Sequence, residues 1–171
     1  SEYFKLQIGK IGNIIFNYYI DKNLDPKLVE YGKNAVKAFG MKERFFHIEF
    51  FKTKDDYIAI EYNNRPAGAF AVDVYNFAHS TDYFRVYAEV ANGTFNGLNV
   101  DEKYGLASTR RDYKDYVYSD EDIRNKYQDK LKAVLRMPEA FAELQGNTMY
   151  VLVADTLEEM KEMERFVGKL K

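Results

Sequence analysis

The sequence predicts an α+β protein, with an antiparallel sheet flanked by helices and a small C-terminal α/β subdomain. Two alternating runs, residues 46–51 and 57–63, flank a polar turn and predict a β-hairpin. A strongly capped amphipathic helix follows an apolar strand at the C-terminus. Strands and helices mix without strict βαβ alternation, which favours α+β over a doubly wound sheet. We expect a lobe over residues 1–93, with the hairpin at 45–68, and a subdomain over 94–171.

Composition excludes several classes of function. The 171 residues are 46% hydrophobic and carry a formal net charge of −2, too little positive charge for nonspecific binding to nucleic acid or membrane surfaces. The absence of cysteine excludes disulfides, thiolate zinc sites and a cysteine nucleophile, and it fits a cytoplasmic location. No apolar run approaches the roughly 20 residues that span a bilayer. The chain begins with Ser1 instead of Met, which suggests a processed or excised piece.

The elements before residue 94 follow from local signals. Residues 13–20 are β-prone and predict a strand. Asp25 and Pro26 open a helix as N-cap and first helical residue, and Gly40 ends it. Residues 69–79 and 80–93 predict two helices beyond the hairpin, the second capped by Ser80 or Thr81.

The C-terminal part begins with a loop over 94–102 and a strand over 104–112. Ser119, three residues before Asp122, opens a polar helix over 119–131, and residues 132–137 and 149–155 predict strands. Thr156 and Glu159 predict a full capping box for the last helix. An apolar stripe along that helix indicates core packing instead of a cofactor site; its members are Leu157, Met160, Met163, Phe166 and Val167.

The hairpin places charged residues on one face. If the turn is centred on Asp55, Glu49 and Glu61 lie opposite each other, where like charges are destabilising. Either water and nearby lysines solvate this face, or a cation binds there, and Glu49, Glu61 and Asn63 form an all-oxygen set suited to Mg²⁺. Alternation assigns Phe46, Ile48, Phe50, Ile58, Ile60 and Tyr62 to the apolar face, and His47, Glu49, Phe51, Ala59, Glu61, Asn63 and Arg65 to the polar face.

The hairpin resembles the ATP-grasp superfamily, in particular ligases of the carbamoyl-phosphate synthetase large-chain and biotin carboxylase type. The resemblance covers residues 42–90. It is carried by the stretch HIEFF, the twelve-position interval from Glu49 to Glu61, and the stretch IEYNNRPAG. It implies that the chain includes the C-terminal half of an ATP-grasp fold.

The resemblance also implies roles for single residues. Glu49 and Glu61 match the metal-binding glutamates and Asn63 the metal-binding asparagine, with Mg²⁺ (or Mn²⁺) as the ion and ATP as co-substrate. Arg65 matches an arginine that faces the transferring phosphoryl group or the carboxylate substrate, so we expect it to be both catalytic and cofactor-binding; a surface salt bridge is the alternative. The implied reaction joins a small carboxylate to an amine or other nucleophile through an acyl phosphate.

The half that precedes this hairpin in such ligases is not recognisable here. We therefore expect a missing N-terminal lobe, with the chain as the C-terminal part of a longer ligase and inactive alone. The alternative is a noncatalytic ATP-grasp-like binding or subunit-interaction module. The 15 tyrosines are compatible with an interface, including one between copies of the chain.

Four other residues give weaker signals. His47 shares the acidic face and is either a partner behind the metal ligands or a packed, hydrogen-bonded histidine. His79 is expected to be structural. Arg110 and Arg111 could bind a phosphate or carboxylate, but a solvated strand end is the preferred interpretation.

Overall fold

The structure, a computed structural model, describes residues 2–4 and 17–171 and confirms the α+β class. The strands are β1 (Glu2–Phe4), β2 (Asn17–Ile20), β3 (His47–Lys52), β4 (Tyr57–Asn63), β5 (Tyr104–Arg110), β6 (Leu131–Arg136) and β7 (Thr148–Ala154). The helices are α1 (Pro26–Ala38), α2 (Ala71–His79), α3 (Tyr83–Ala91), α4 (Asp120–Lys126), α5 (Glu139–Gln145) and α6 (Leu157–Gly168). Residues 13–16 of the predicted first strand lie outside the described residues.

The chain forms two compact units that are each discontinuous in sequence. The first contains the described residues up to Lys22, together with Phe77–His79 and Asp101–Lys171; the second contains Asn23–Asn76 and Ser80–Val100. The predicted division at residues 93 and 94 assigned the N-terminal strand to the lobe, whereas β2 pairs with β5 in the first unit. The functional identity of the two predicted domains stays a prediction.

A five-stranded antiparallel sheet forms the first unit, in the order β1-β2-β5-β7-β6. Every residue of β5 is buried, as is β7 from Met149 onward, because these two strands lie at the centre of the sheet. The predicted methionine stripe is part of this core: Met160, Met163 and Val167 are buried, and Leu157 and Phe166 pack against the same cluster.

At the N-termini of α6 and α3, the capping hydrogen bonds differ from those predicted. The Thr156 hydroxyl accepts the Glu159 amide, but the Glu159 carboxylate accepts the amide of Asp155 instead and pairs with Lys130, so the capping box is only half formed. The N-cap of α3 is Asp82, one residue beyond the predicted positions, because its carboxylate accepts two backbone amides.

Ser119 opens α4 as predicted, and Ser119 and Asp122 form a capping box in both directions. Ser80, one of the two residues proposed to cap α3, instead ends α2 in the left-handed conformation.

Arg110 and Arg111 are buried, which overturns their interpretation as a solvated strand end. They are 6% and 7% exposed. Arg110 donates to the carbonyls of Val167 and Tyr118, each at 2.8 Å. Backbone carbonyls accept hydrogen bonds from two of the three guanidinium nitrogens. Arg110 therefore stabilises the first unit.

Arg111 closes the C-terminal end of α5, a helix that was not predicted from the sequence. Its guanidinium donates to the carbonyls of Ala142, Glu143 and Leu144 at 2.7–3.2 Å. These carbonyls lie at the end of a helix, where a cation is favoured by the helix dipole. The arginine therefore replaces solvent as the hydrogen-bond donor for this helix end.

Helix α1 fixes both ends of the hairpin in the second unit. Asp25 caps α1 through the Lys27 amide and accepts the Tyr57 hydroxyl at 2.8 Å, and this hydroxyl, followed by the Lys27 amide, lowers the pKa of the Asp25 carboxyl. At the other end of α1, the ring of Phe39 stacks on Tyr62 with centroids 4.3 Å apart. Gly40 follows with φ 62°, as predicted for the helix end.

Among the described residues, no helix combines the length and apolar character required to cross a bilayer.

We predict that Arg111→Ala lowers the free energy of unfolding by about 2–3 kcal/mol, because it leaves three carbonyls at the C-terminal end of α5 without their charged donor. Urea unfolding followed by circular dichroism measures this. The exposed Arg124 provides the matched control, for which alanine should cost less than about 1 kcal/mol. Equal losses at the two positions would show that Arg111 does not hold α5.

Candidate metal centre on the β3–β4 hairpin

A bulge in the hairpin sets the register of the two glutamates. Glu49 pairs directly with Glu61, but the register shifts after Glu49, so that Phe50 pairs with Ala59. Ile60 is therefore the extra residue on β4. At the loop end Lys52 pairs with Tyr57, whereas a turn centred on Asp55 would pair Lys52 with Ile58. The predicted glutamate pair is present, but the bulge, and not the centre of the turn, produces it.

Because of the bulge, the predicted assignment of side chains to the two faces is wrong near the turn. Cross-strand partners share a face of the sheet. Phe50 therefore shares a face with Ala59, and Phe51 shares a face with Ile58, although alternation had separated the members of both pairs. A one-residue insertion reverses the side-chain alternation beyond it. The polar face is consequently confined to the end of the hairpin away from the turn.

Three potential ligands meet at that end. One ring nitrogen of His47 and one carboxylate oxygen each of Glu49 and Glu61 all lie within 4.8 Å of one another. His47 Nε2 and Glu49 Oε1 are 3.4 Å apart. The His47 side chain is 11% exposed, whereas Glu61 is exposed. The cluster is thus closed on its histidine side and open to solvent at Glu61.

Asn63 joins the same cluster from the position opposite His47. Its side-chain Nδ2 donates to Glu61 Oε1 at 2.7 Å and lies 3.1 Å from His47 Nε2. The amide therefore presents its NH₂ group to the cluster. Its predicted role as an oxygen ligand would require the amide to turn over, and that role stays a prediction.

Arg65 follows β4 on the same stretch of chain. Its Nη1 donates to the Pro66 carbonyl at 3.1 Å, and a Cβ built on Gly68 would lie 3.8 Å from that nitrogen. In the described part of the chain, no ion pair within 4.0 Å links this guanidinium to Glu49 or Glu61. Arg65 is therefore close to Glu61 in the sequence. Its guanidinium lies against residues 66–68, which lead to α2.

His79 lies apart from this cluster, at the end of α2. Burial lowers the pKa of its imidazole, and its backbone carbonyl accepts the Asp101 amide at 3.2 Å. These observations agree with the structural role expected from the sequence. His47 differs from His79, because one of its ring nitrogens lies within 4.8 Å of carboxylate oxygens of Glu49 and Glu61. Strand alternation had predicted only that His47 shares a face with the two glutamates.

The donor set fits a divalent cation. Two carboxylates that face each other repel, and a bound cation removes that repulsion. With metal–oxygen distances of about 2.1 Å, donors on one ion lie about 3–4.2 Å apart. The 3.4 Å contact falls in this range, and the 4.8 Å limit of the cluster exceeds it by little. Small side-chain rotations would bring all three atoms within reach of one ion.

Comparison of the sequence gave no match, whereas comparison of the structure did. No protein-family model and no curated protein matches the chain. The fold matches phosphoribosylglycinamide synthetase from Anaerococcus prevotii with a TM-score of 0.66 and 12% identity, over 99% of this chain and 48% of that one. It matches L-amino acid ligase from Bacillus licheniformis with a TM-score of 0.66 and 15% identity, over 87% and 41% of the two chains.

A further match is the phosphoribosylaminoimidazole carboxylase ATPase subunit from Aquifex aeolicus, with a TM-score of 0.63 and 18% identity, over 99% and 50% of the chains. These proteins are ATP-grasp ligases, and the chain spans about half of their length. The expected fold is confirmed, because the chain has the fold of about half of each of these proteins. The narrower likeness to the carbamoyl-phosphate synthetase type stays a prediction.

We predict that Glu61→Gln raises the free energy of unfolding by up to about 1 kcal/mol in chelator-treated, low-salt buffer, because it removes one of two opposed charges while keeping an oxygen for Asn63. Urea titration measures this. The exposed loop residue Glu102, changed to Gln, is the control and should have little effect. A marked loss of stability on Glu61→Gln in metal-free buffer would contradict repulsion between the two carboxylates.

Proposed function

We propose that the chain is part of an ATP-dependent ligase and contributes the half of its nucleotide site that binds the divalent cation and the phosphates. The observation that carries the proposal is the pairing of Glu49 with Glu61 across the bulge, next to His47 and Asn63. Paired acidic oxygens suit Mg²⁺ or Mn²⁺, the ions that accompany nucleoside triphosphates.

The fold supports the same class of reaction. The matched proteins include an L-amino acid ligase and a phosphoribosylglycinamide synthetase, and the chain corresponds to about half of each. A likeness at this level of identity concerns the fold, so the activity is inferred from the hairpin residues. The remaining half of the site, which would bind adenine and close over the phosphates, would come from another part of a longer protein.

Each hairpin residue has a distinct role in this proposal. Glu49 and Glu61 would hold the cation, with Asn63 either completing the ligand set or orienting Glu61 as it does here. When bound, the cation would neutralise charge on the phosphates of ATP. Arg65 would turn its guanidinium from the Pro66 carbonyl to the transferring phosphoryl group or the substrate carboxylate, because a planar guanidinium pairs well with either anion.

The proposed reaction has two balanced steps. A carboxylate oxygen of the substrate attacks the γ-phosphorus of ATP, the bond to the bridging oxygen breaks, and ADP leaves. An amine or other nucleophile then attacks the acyl carbon of the acyl phosphate, inorganic phosphate leaves with the electrons of the broken C–O bond, and the nucleophile releases its proton to the phosphate or to solvent. The protein's contribution to both steps is positioning and charge stabilisation.

The second candidate is a noncatalytic binding or subunit-interaction module. The observation that favours it is the apolar surface of the hairpin: Phe51 is 62% exposed and Ile58 55% exposed, and Phe46 and Ile60 are also exposed. A two-stranded hairpin is marginal unless further strands or helices cover it. In a ligase, the second half of the protein would cover the same surface.

We predict that Glu61→Gln, in the longer protein that contains this chain, lowers ATP-dependent ligation by at least about a hundredfold, since removing one charge-stabilising group typically costs 10²–10³ in rate. Release of phosphate that depends on both a carboxylate and an amine measures it, with Glu102→Gln as the matched control. Unchanged turnover in Glu61→Gln would contradict the assigned role.

The 171-residue chain alone should bind Mg²⁺ and ATP weakly, since Mg²⁺ relies on waters and substrate phosphates for most of its ligands. Micromolar binding in calorimetry, about −8 kcal/mol, would contradict the idea that half of the site is elsewhere.

A further inference from the structure

The segment that follows α3 contains both Asn-Gly dipeptides of the sequence, Asn92–Gly93 and Asn96–Gly97. All four residues are exposed to solvent. An asparagine that precedes glycine is prone to lose its side-chain amide, because glycine has no side chain to keep its backbone nitrogen away from the asparagine. The same reactive motif occurs twice within a few residues, so a difference in reactivity between the two has to come from the local structure.

The first dipeptide is held by the C-terminal cap of α3. Gly93 has a φ of 68° and donates its N–H to the Val90 carbonyl at 3.2 Å, and the Thr94 N–H donates to the Glu89 carbonyl at 2.9 Å. These two hydrogen bonds form a Schellman motif, with the left-handed glycine just beyond the helix. The nitrogen that would attack Asn92 is therefore held in a hydrogen bond, and Asn92 itself keeps a helical backbone with φ −91° and ψ −1°.

The second dipeptide lies outside this cap. Asn96 and Gly97 belong to neither a helix nor a strand, and Gly97 has a φ of 98°. Within the described part of the chain, no hydrogen bond holds the Gly97 amide or the side chain of Asn96. The nitrogen and the side chain that react with each other are therefore free to approach, whereas at Asn92 the helix cap has to open first.

We propose that Asn96 is a site of spontaneous deamidation, and that the fold directs this modification to Asn96 and away from Asn92. The backbone nitrogen of Gly97 attacks Cγ of Asn96 and forms a C–N bond. The bond from Cγ to the side-chain nitrogen breaks, and ammonia leaves with the electrons of that bond and the proton that the attacking nitrogen loses. Water then attacks either carbonyl carbon of the resulting succinimide, the ring C–N bond at that carbon breaks, and the nitrogen regains a proton. The product is aspartate or isoaspartate at position 96.

The modification changes the charge of an exposed apolar segment. It adds one negative charge between Phe95 and Leu98, whose side chains are 40% and 38% exposed. Isoaspartate also lengthens the main chain by one methylene group at this point. An aged chain is therefore more acidic than a fresh one, and ion-exchange chromatography separates the two forms. None of these steps depends on the proposed ligase function.

Peptide mapping by mass spectrometry compares the two positions within the same molecule. The 171-residue chain is incubated at mildly alkaline pH, and the loss of each side-chain amide is followed over time. We expect Asn96 to react at least about tenfold faster than Asn92, because two hydrogen bonds of the helix cap must open before Asn92 can react. In guanidinium chloride the two rates should converge, since both sites are then Asn-Gly dipeptides in an unfolded chain.

Matched variants identify the source of the modified form. Asn96→Gln should remove most of the acidic form and most of the isoaspartate, which an isoaspartate-specific methyltransferase labels, because glutamine would have to form a larger ring. Asn92→Gln should leave both nearly unchanged. Equal rates at the two positions in the folded chain, or the same ratio of rates in guanidinium chloride, would overturn the proposal. Retention of the Asn96 amide in the folded chain while both positions react in the unfolded chain would overturn it as well.

Discussion

The opposition of Glu49 and Glu61 is the constraint on which the rest of the hairpin depends. Two carboxylates on directly paired residues cost stability in the absence of a counter-charge. Their neighbours are arranged to keep them in place: Asn63 donates to Glu61, and His47 faces Glu49. In the proposed function, this arrangement lowers the stability of the metal-free protein and preforms the cation site.

The two compact units differ in how they are stabilised. The first has a core of buried aliphatic, aromatic and methionine side chains, and its two adjacent arginines are directed inward to backbone carbonyls. The second depends on α1, which holds the hairpin through Tyr57 at one end and Tyr62 at the other. Much of the apolar surface of the hairpin stays exposed, and the proposed function assigns its cover to further protein.

Local signals in the sequence predicted most of the fold. Asp25 with Pro26, Ser119 with Asp122, and the methionine stripe of α6 each act within a few residues, so their outcome is fixed by short-range geometry. The loop before β5 and the strand at Thr148–Ala154 also lie where they were predicted, since long apolar strands flanked by polar turns have few alternatives.

The predictions that failed concern residues whose environment depends on groups far away in the sequence or on a strand irregularity. The burial of Arg111 depends on the end of α5, some thirty positions away along the chain, which no pattern around Arg111 reveals. Glu159 caps Asp155 and pairs with Lys130, a partner on another element. The bulge at Ile60 leaves the glutamate pair where simple alternation put it but reverses the faces beyond, because alternation cannot detect an inserted residue.

The most direct test of the central claim is a crystal structure of the chain grown with Mn²⁺, with anomalous scattering used to locate the ion. The predicted result is one anomalous peak within bonding distance, about 2–2.5 Å, of carboxylate oxygens from both Glu49 and Glu61. Carboxylates that point apart, or manganese bound only elsewhere on the chain, would contradict the account.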